Sequence, residues 1–268
     1  MNYPTPPLGS ELSPVQRELL TLLHTYRFAT TEQLARLTRP QYISRRSALR
    51  QSQRHLASLE ERHLVTQLER RIGGWQKGSA VGIWALTTSG LRELTGASKR
   101  LRPRDISTSF LGHHLAITET ATRFLEAARE LDGYEVRLEI EPASHRPFMN
   151  RLGVMSAVKP DLAATVHSPD FTDYYFIEVD RDTENPARII RTMRRYGQYL
   201  ATETEQDQLG VFPAVVWIVP SLKRRCSLAR RLKQEPDLPS DLWMVIELEN
   251  IPALVKHGPV DFLGREPG

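Results

Sequence analysis

Two carboxylates interrupt an apolar stretch in the C-terminal half of the chain. The segment from Tyr174 to Glu184 begins with aromatic and β-branched residues, which predicts a strand buried in a sheet, and it contains Glu178 and Asp180. Side chains alternate along a strand, so both carboxylates should share a face with Phe176. Because removing a charge from water is costly, each carboxylate needs a partner, which could be an arginine, a backbone donor or a metal ion.

The rest of the C-terminal half predicts the elements that would hold these carboxylates. Apolar spacing and turn residues predict three helices, at 110–130, 186–200 and 221–233. The same criteria predict five strands, at 134–141, 162–166, 174–180, 213–219 and 242–248, with a loop at 142–154. This order predicts an α/β sandwich with a mixed sheet.

The motif Pro160-Asp161, followed one hairpin later by Glu178-Val179-Asp180, resembles the restriction-endonuclease-like fold with its Pro-Asp…(Asp/Glu)-x-Lys motif. The resemblance implies Mg²⁺ or Mn²⁺ ligands at Asp161 and Glu178, with Glu119 as an additional acid. Hard cations prefer oxygen ligands, which agrees with this set. Asp180 stands where the motif has its lysine, and it becomes a further candidate ligand. Lys159 would then have to replace the missing lysine in catalysis.

The acidic residues also admit a purely structural role. In that case the acidic residues would form ion pairs without metal, joining Glu178, Asp180, Asp182 and Glu184 to Arg188, Arg191 and Arg195 of the following helix. We therefore expect a degenerate nuclease-like domain. A metal-dependent endonuclease or nickase that uses Asp161, Glu178, Asp180 and Lys159 is the alternative.

The charge of the chain is unevenly distributed. Residues 1–104 carry 17 Lys and Arg against 7 Asp and Glu, and residues 105–268 carry 19 against 25, giving net charges of +10 and −6 that sum to +4. A basic N-terminal region favours a polyanionic partner, with nucleic acid as the default. The lone Cys226 excludes an internal disulfide, and no apolar run is long enough to span a membrane, so we expect a cytoplasmic protein.

The N-terminal region predicts three helices followed by two strands. Helices are expected at 14–26, 31–37 and 44–61, and strands at 63–68 and 80–86. Thr31 should be the N-cap of the second helix, which should end at Leu37. Leu49, Leu56 and Leu59 should form the buried side of the third helix. Its other side should present residues of the types that contact phosphates and base edges, namely Arg45, Arg46, Ser47, Arg50, Gln51 and Arg54.

This order resembles a winged helix-turn-helix domain, most closely in the segments 56–65 and 82–90. The resemblance implies that the helix at 44–61 enters the major groove of double-stranded DNA. It also implies that the wing touches the backbone or the minor groove through Arg70, Arg71, Trp75 and Lys77.

The combination of a winged helix with His113-His114-Leu115, Lys159-Pro160-Asp161 and the segment 176–184 resembles the replication-relaxation family. That family is encoded on bacterial plasmids and other mobile elements. The resemblance implies a DNA-binding accessory protein of replication, relaxation or transfer, with a relaxase or another replication or transfer protein as candidate partner and a homodimer as candidate assembly. A transcription regulator is a third hypothesis. The expected segments are a disordered lead-in (1–12), a winged helix domain (13–95), a basic linker (96–106), a nuclease-like domain (107–250) and a tail (251–268).

Overall fold

The computed structural model of the chain describes residues 11–68, 82–96, 107–182 and 185–259. The chain divides into two compact units, Met1–Thr118 and Glu119–Gly268. Helices and strands occur in both units, so the predicted α/β class is confirmed. The division falls within a helix, whereas the predicted linker at 96–106 lies almost entirely outside the described residues.

The described residues of the first unit form five helices and three short strands. In chain order they are α1 (Pro14–Tyr26), β1 (Phe28–Thr30), α2 (Thr31–Leu37), α3 (Arg45–Glu61), β2 (Val65–Leu68), β3 (Ile83–Leu86), α4 (Thr88–Thr95) and the beginning of α5 (Thr108–Arg129). A 3₁₀ turn, Arg39–Gln41, joins α2 to α3. The strands form an antiparallel sheet in the order β1-β3-β2.

Side-chain caps fix where the helices of this unit begin. Ser13 caps α1 as predicted, and its hydroxyl accepts a hydrogen bond from the backbone N–H of Gln16. The cap of α2 is Thr30 rather than the predicted Thr31. The Thr31 hydroxyl instead accepts a hydrogen bond from the indole N–H of Trp84, at 2.9 Å.

The core of the first unit lies between α1, α2, α3 and the sheet. Leu19, Leu20 and Leu23 of α1 meet Leu34, Leu56 and Leu59 in one buried cluster. Leu49 of α3 was predicted in this core but is only half-buried, because Ala48 and Ser52 occupy the inner side of the helix. Gly90 of α4 lies so close to the preceding chain that an added Cβ would be 2.0 Å from the Leu64 carbonyl oxygen.

The beginning of α5 completes this unit. Leu111 and Leu115 pack with Phe28, Ile83 and Ala85 in a second buried cluster. Two hydrogen bonds accompany this packing. The Gln33 side-chain amide donates to the carbonyl of Leu115 at 3.0 Å, and the Thr118 hydroxyl donates to the carbonyl of Phe28 at 2.9 Å.

The second unit is built on a five-stranded mixed sheet. Its elements are the remainder of α5, β4 (Glu135–Ile140), β5 (Arg146–Met149), β6 (Met155–Val158), β7 (Leu162–His167), β8 (Thr172–Val179), α6 (Pro186–Leu200), α7 (Thr204–Leu209), β9 (Ala214–Val219), α8 (Leu222–Lys233), β10 (Trp243–Glu247) and α9 (Ile251–His257). The sheet order is β10-β9-β8-β7-β4, with β4, β7 and β8 antiparallel and β8, β9 and β10 parallel.

Three elements of this unit differ from the sequence prediction. The predicted loop 142–154 contains β5, which pairs with β6 as a separate two-stranded sheet. The helix α7 was not predicted. The predicted tail begins with α9, whose residues Ile251, Leu254 and Val255 are buried.

Helices cover both faces of the sheet. Ile189 and Met193 of α6 and Leu228 and Leu232 of α8 share a core with Trp217 of β9. On the opposite face, Phe124 of α5 packs against Tyr175 of β8, with ring centroids 6.3 Å apart. None of the helices in the described part of the chain is long and apolar enough to cross a bilayer.

Candidate nucleic-acid interface and the acidic cluster

The helix α3 presents a polar and basic stripe to solvent. Arg46, Arg50, Gln53 and Arg54 are all exposed and recur at intervals of three and four residues, so they lie on one side of the helix. The opposite side carries the buried residues Ala48, Ser52, Leu56 and Leu59. One side of α3 is therefore fixed in the core, and the other presents three guanidinium groups and an amide. We call Arg46, Arg50, Gln53 and Arg54 the α3 stripe.

Three of the residues predicted to contact DNA lie beside this stripe. Arg45 is exposed but forms an ion pair with Glu32 of α2. Ser47 belongs to the N-terminal cap of α3, where its hydroxyl accepts from the backbone N–H of Ser44 and donates to its carbonyl. Gln51 is half-buried and lines a cavity of about 330 Å³. Gln53 was not among the predicted residues, although helical spacing from Arg46 and Arg50 would have identified it.

Contacts on its inner side hold α3 in place. The Gln16 amide of α1 donates to the Ser58 hydroxyl at 3.3 Å, and the hydroxyls of Thr38 and Ser52 lie 3.5 Å apart in the core. The strands β2 and β3 follow α3 and pair in register from Val65 opposite Leu86 to Leu68 opposite Ile83. The predicted wing residues Arg70, Arg71, Trp75 and Lys77 lie outside the described residues.

The hairpin of β7 and β8 brings Asp161 and Glu178 together, as their spacing predicts. Asp161 accepts a hydrogen bond from the backbone N–H of Val179 at 2.8 Å. Glu178 accepts one from the Tyr196 hydroxyl of α6 at 2.7 Å. Burial, followed by the charges of Glu178 and then Asp161, raises the pKa of Tyr196 well above its ordinary value. The hydroxyl therefore stays protonated and donates to the carboxylate.

Asp180 is bound to an arginine of α8, a helix that was predicted but not as the source of its partner. Its Oδ2 accepts from the Nε of Arg224 in α8 at 2.5 Å, and its Oδ1 accepts from the backbone N–H of Asp182 at 2.9 Å. A second guanidinium nitrogen of Arg224 lies 3.2 Å from Asp182. An ion-paired role was predicted for Asp180, but with the arginines of α6. The partner comes from α8 because β9, which precedes α8, lies directly beside β8.

Two of the four predicted metal ligands, Asp180 and Glu119, are paired with arginines. Within the described ranges, no group of three or more His, Cys, Asp or Glu side chains is placed to hold a metal ion. Arg224 already neutralises Asp180, and Glu119 pairs with Arg123 at 3.1 Å. Lys159, the predicted substitute for the motif lysine, is exposed. No cleavage step can be derived from this arrangement.

A second polar network near the same sheet was missed by the sequence analysis. Arg146 of β5 donates to Glu139 at 2.6 Å and to Glu205 of α7 at 3.2 Å. Glu205 also accepts from the Tyr199 hydroxyl at 2.7 Å, and the Arg146 guanidinium lies 5.7 Å from the centroid of the Phe176 ring. Both β5 and α7 were absent from the prediction, so their pairing could not be anticipated.

The sequence model of the family described as replication-relaxation matches residues 20–215, from α1 to the start of β9. The chain belongs to the replication-relaxation family. The match includes the α3 stripe and the Asp161–Glu178–Tyr196 cluster, but it ends before Arg224. Membership associates the chain with replication or relaxation of plasmid or other mobile-element DNA. No curated protein and no solved structure matches the chain.

Proposed function

We propose that this member of the replication-relaxation family binds double-stranded DNA through α3, as an accessory protein of replication or relaxation of a mobile element. The observation that carries the proposal is the α3 stripe. Arginine donates two parallel hydrogen bonds to guanine O6 and N7, glutamine makes the corresponding pair with adenine, and arginine also contacts phosphates. A helix with this outward side is suited to a major groove.

The surrounding elements support a winged helix-turn-helix assignment for the first unit. Three helices precede a pair of antiparallel strands, and α3 comes directly before that pair, as in a reading helix followed by a wing. The net charge of +10 on residues 1–104 would add long-range attraction to the phosphate backbone. A relaxase or another replication or transfer protein, and a second copy of the chain, remain the candidate protein partners.

The nuclease-like assignment of the second unit is proposed as a degenerate one. Asp161, Glu178 and Asp180 each have a partner within the protein, respectively the backbone N–H of Val179, Tyr196 and Arg224. These contacts support a structural role for the carboxylates. We accordingly propose a binding function for the chain and no hydrolysis of DNA.

The binding proposal is tested with the double variant Arg50→Ala/Arg54→Ala and a short duplex of mixed sequence. Removing two contacts at about 1–3 kcal/mol each should weaken binding about 30-fold or more and flatten its salt dependence. The matched control is Arg17→Ala/Arg92→Ala, which removes the same charge from exposed positions on α1 and α4. Wild-type affinity in the α3 double variant would refute α3 as the reading helix.

The absence of cleavage is tested with supercoiled plasmid in Mg²⁺ or Mn²⁺. After the protein is digested away, we expect unchanged plasmid topology. Metal-dependent nicking that is lost in Glu178→Gln would instead establish an endonuclease and contradict the structural role of the carboxylates.

A further inference from the structure

The helices α6 and α8 concentrate the positive charge of an otherwise acidic region. Four residues of α6 and six of α8 are Lys or Arg, and neither helix contains an acidic residue. Residues 105–268 as a whole carry 19 Lys and Arg against 25 Asp and Glu. More than half of the basic residues of this region therefore lie on two helices. Such a concentration of positive charge favours an anionic partner.

The two helices form one continuous surface. Both pack on the same face of the five-stranded sheet, since Met193 of α6 and Leu228 of α8 share a core with Trp217. A groove of about 450 Å³ runs between the start of α6 and α8. The α8 side of this groove is lined by Arg224, Ser227, Arg230, Arg231 and Gln234.

Part of the charge on this surface is not neutralised within the described residues. Arg194 pairs with Glu235, Arg225 with Glu247, and Arg224 with Asp180 and Asp182. Four further cations are exposed and form no ion pair with any residue that the structure describes. They are Arg191 of α6 and Lys223, Arg230 and Arg231 of α8, which we call the α6/α8 basic face.

The chemistry of this face fits a phosphate backbone. Lys223 and Arg230 are seven residues apart, or about 10 Å along the helix axis. Duplex DNA carries one negative charge per about 1.7 Å of its axis, so successive phosphates would be within reach of such a row. The tyrosines of α6 are buried, and α8 contains no aromatic residue, so the face offers no platform on which unpaired bases could stack. Contact with the backbone of a duplex, without sequence reading, is the interaction it supports.

We propose that the α6/α8 basic face is a second DNA-contact surface, which holds the phosphate backbone of a duplex independently of α3. Its role is to add sequence-independent affinity. The second unit then contributes to DNA binding through these two helices rather than through the carboxylates of β7 and β8.

The test measures the affinity of the full chain for a mixed-sequence duplex as a function of salt. Each phosphate contact contributes about 0.9 to the slope of log K against log salt, so Arg230→Ala/Arg231→Ala should reduce the slope by about 1.8. Between about 50 and 200 mM salt, wild-type affinity should accordingly fall about 12-fold more than the affinity of the variant. The charge-retaining variant Arg230→Lys/Arg231→Lys should keep the wild-type slope.

The matched control is Arg137→Ala/Arg151→Ala, which removes two exposed arginines from elsewhere in the second unit. A wild-type slope in Arg230→Ala/Arg231→Ala would overturn the proposal, and so would an equal loss in the control. The two proposals can fail separately. If Arg50→Ala/Arg54→Ala binds like wild type while the α8 variant loses slope, the α3 proposal fails and this one stands. If instead Arg50→Ala/Arg54→Ala binds more weakly while the α8 variant keeps the wild-type slope, this proposal fails and the α3 proposal stands.

Discussion

Replacing Arg224 with methionine should strongly destabilise the 119–268 unit. The Asp180 side chain is 0% exposed and the Arg224 side chain 11% exposed, so their contact lies almost wholly out of water. Methionine preserves much of the apolar stem but removes the guanidinium. The Asp180 carboxylate would then keep one described hydrogen bond, from the backbone N–H of Asp182.

The expected loss follows from this burial. Removing one partner of a buried ion pair costs about 3–5 kcal/mol, because the other charge is left without compensation. For a unit of this size, that corresponds to a decrease in Tm of about 6–20 °C. An exposed pair contributes only about 0–1 kcal/mol. The matched control is therefore Arg137→Met, whose pair with Glu135 is 68% and 61% exposed.

Urea unfolding followed by tryptophan fluorescence measures this difference, since Trp217 and Trp243 are buried in the core shared by α6 and α8. The double variant Asp180→Leu/Arg224→Met should be more stable than Arg224→Met alone, because no buried charge remains. A cost for Arg224→Met no larger than that of the control would refute the reasoning. Equally decisive would be a Mg²⁺-induced rise in wild-type Tm that is absent in Asp180→Asn, because it would show that Asp180 binds a cation.

Two further predictions concern buried tyrosines and two glycines. Burial raises the pKa of Tyr175 and Tyr196, so above about pH 10 the unfolded chain loses protons that the folded chain retains. Stability should then fall by about 1.4 kcal/mol per pH unit for each such tyrosine, and Tyr196→Phe should lessen the decline in Tm between pH 9 and 11. Gly90→Ala should lower the free energy of unfolding by about 1–3 kcal/mol or more, because the added methyl group collides with the Leu64 carbonyl. Gly197 has open space around it, so Gly197→Ala should raise the free energy of unfolding by about 0.5–1 kcal/mol. Urea unfolding measures both changes.

Local patterns in the sequence predicted much of the fold. Ser13-Pro14 and Asn185-Pro186 mark the starts of α1 and α6, because caps and first-turn prolines act within a few residues. Alternation in β8 predicted that Glu178 and Asp180 share one side of the sheet, and their partners Tyr196 and Arg224 lie on α6 and α8. The hairpin of β5 and β6 was missed because its strands are four residues each, and exposed apolar residues such as Met149 and Met155 obscure its alternation.

The partners of the acidic residues were harder to predict than their positions. Asp180 and Arg224 are 44 residues apart, and their contact depends on β9 lying beside β8. The sequence favoured the arginines nearest along the chain, on α6. In the first unit, helical spacing predicted the exposed positions of Arg46, Arg50 and Arg54. It did not predict that Gln51 is half-buried, because that depends on how α3 packs against the rest of the unit.

The position of α5 has a practical consequence for dividing the chain. A fragment that ends at the predicted domain boundary, residue 95, would lack Leu111 and Leu115 and leave Phe28, Ile83 and Ala85 uncovered. It would also remove the Leu115 carbonyl, which accepts a hydrogen bond from the buried Gln33 amide. Such an apolar patch promotes aggregation, and insolubility would then be mistaken for an inability to bind DNA. A fragment extended through Thr118 retains the missing helical turns and is the smallest N-terminal piece suited to binding studies in isolation.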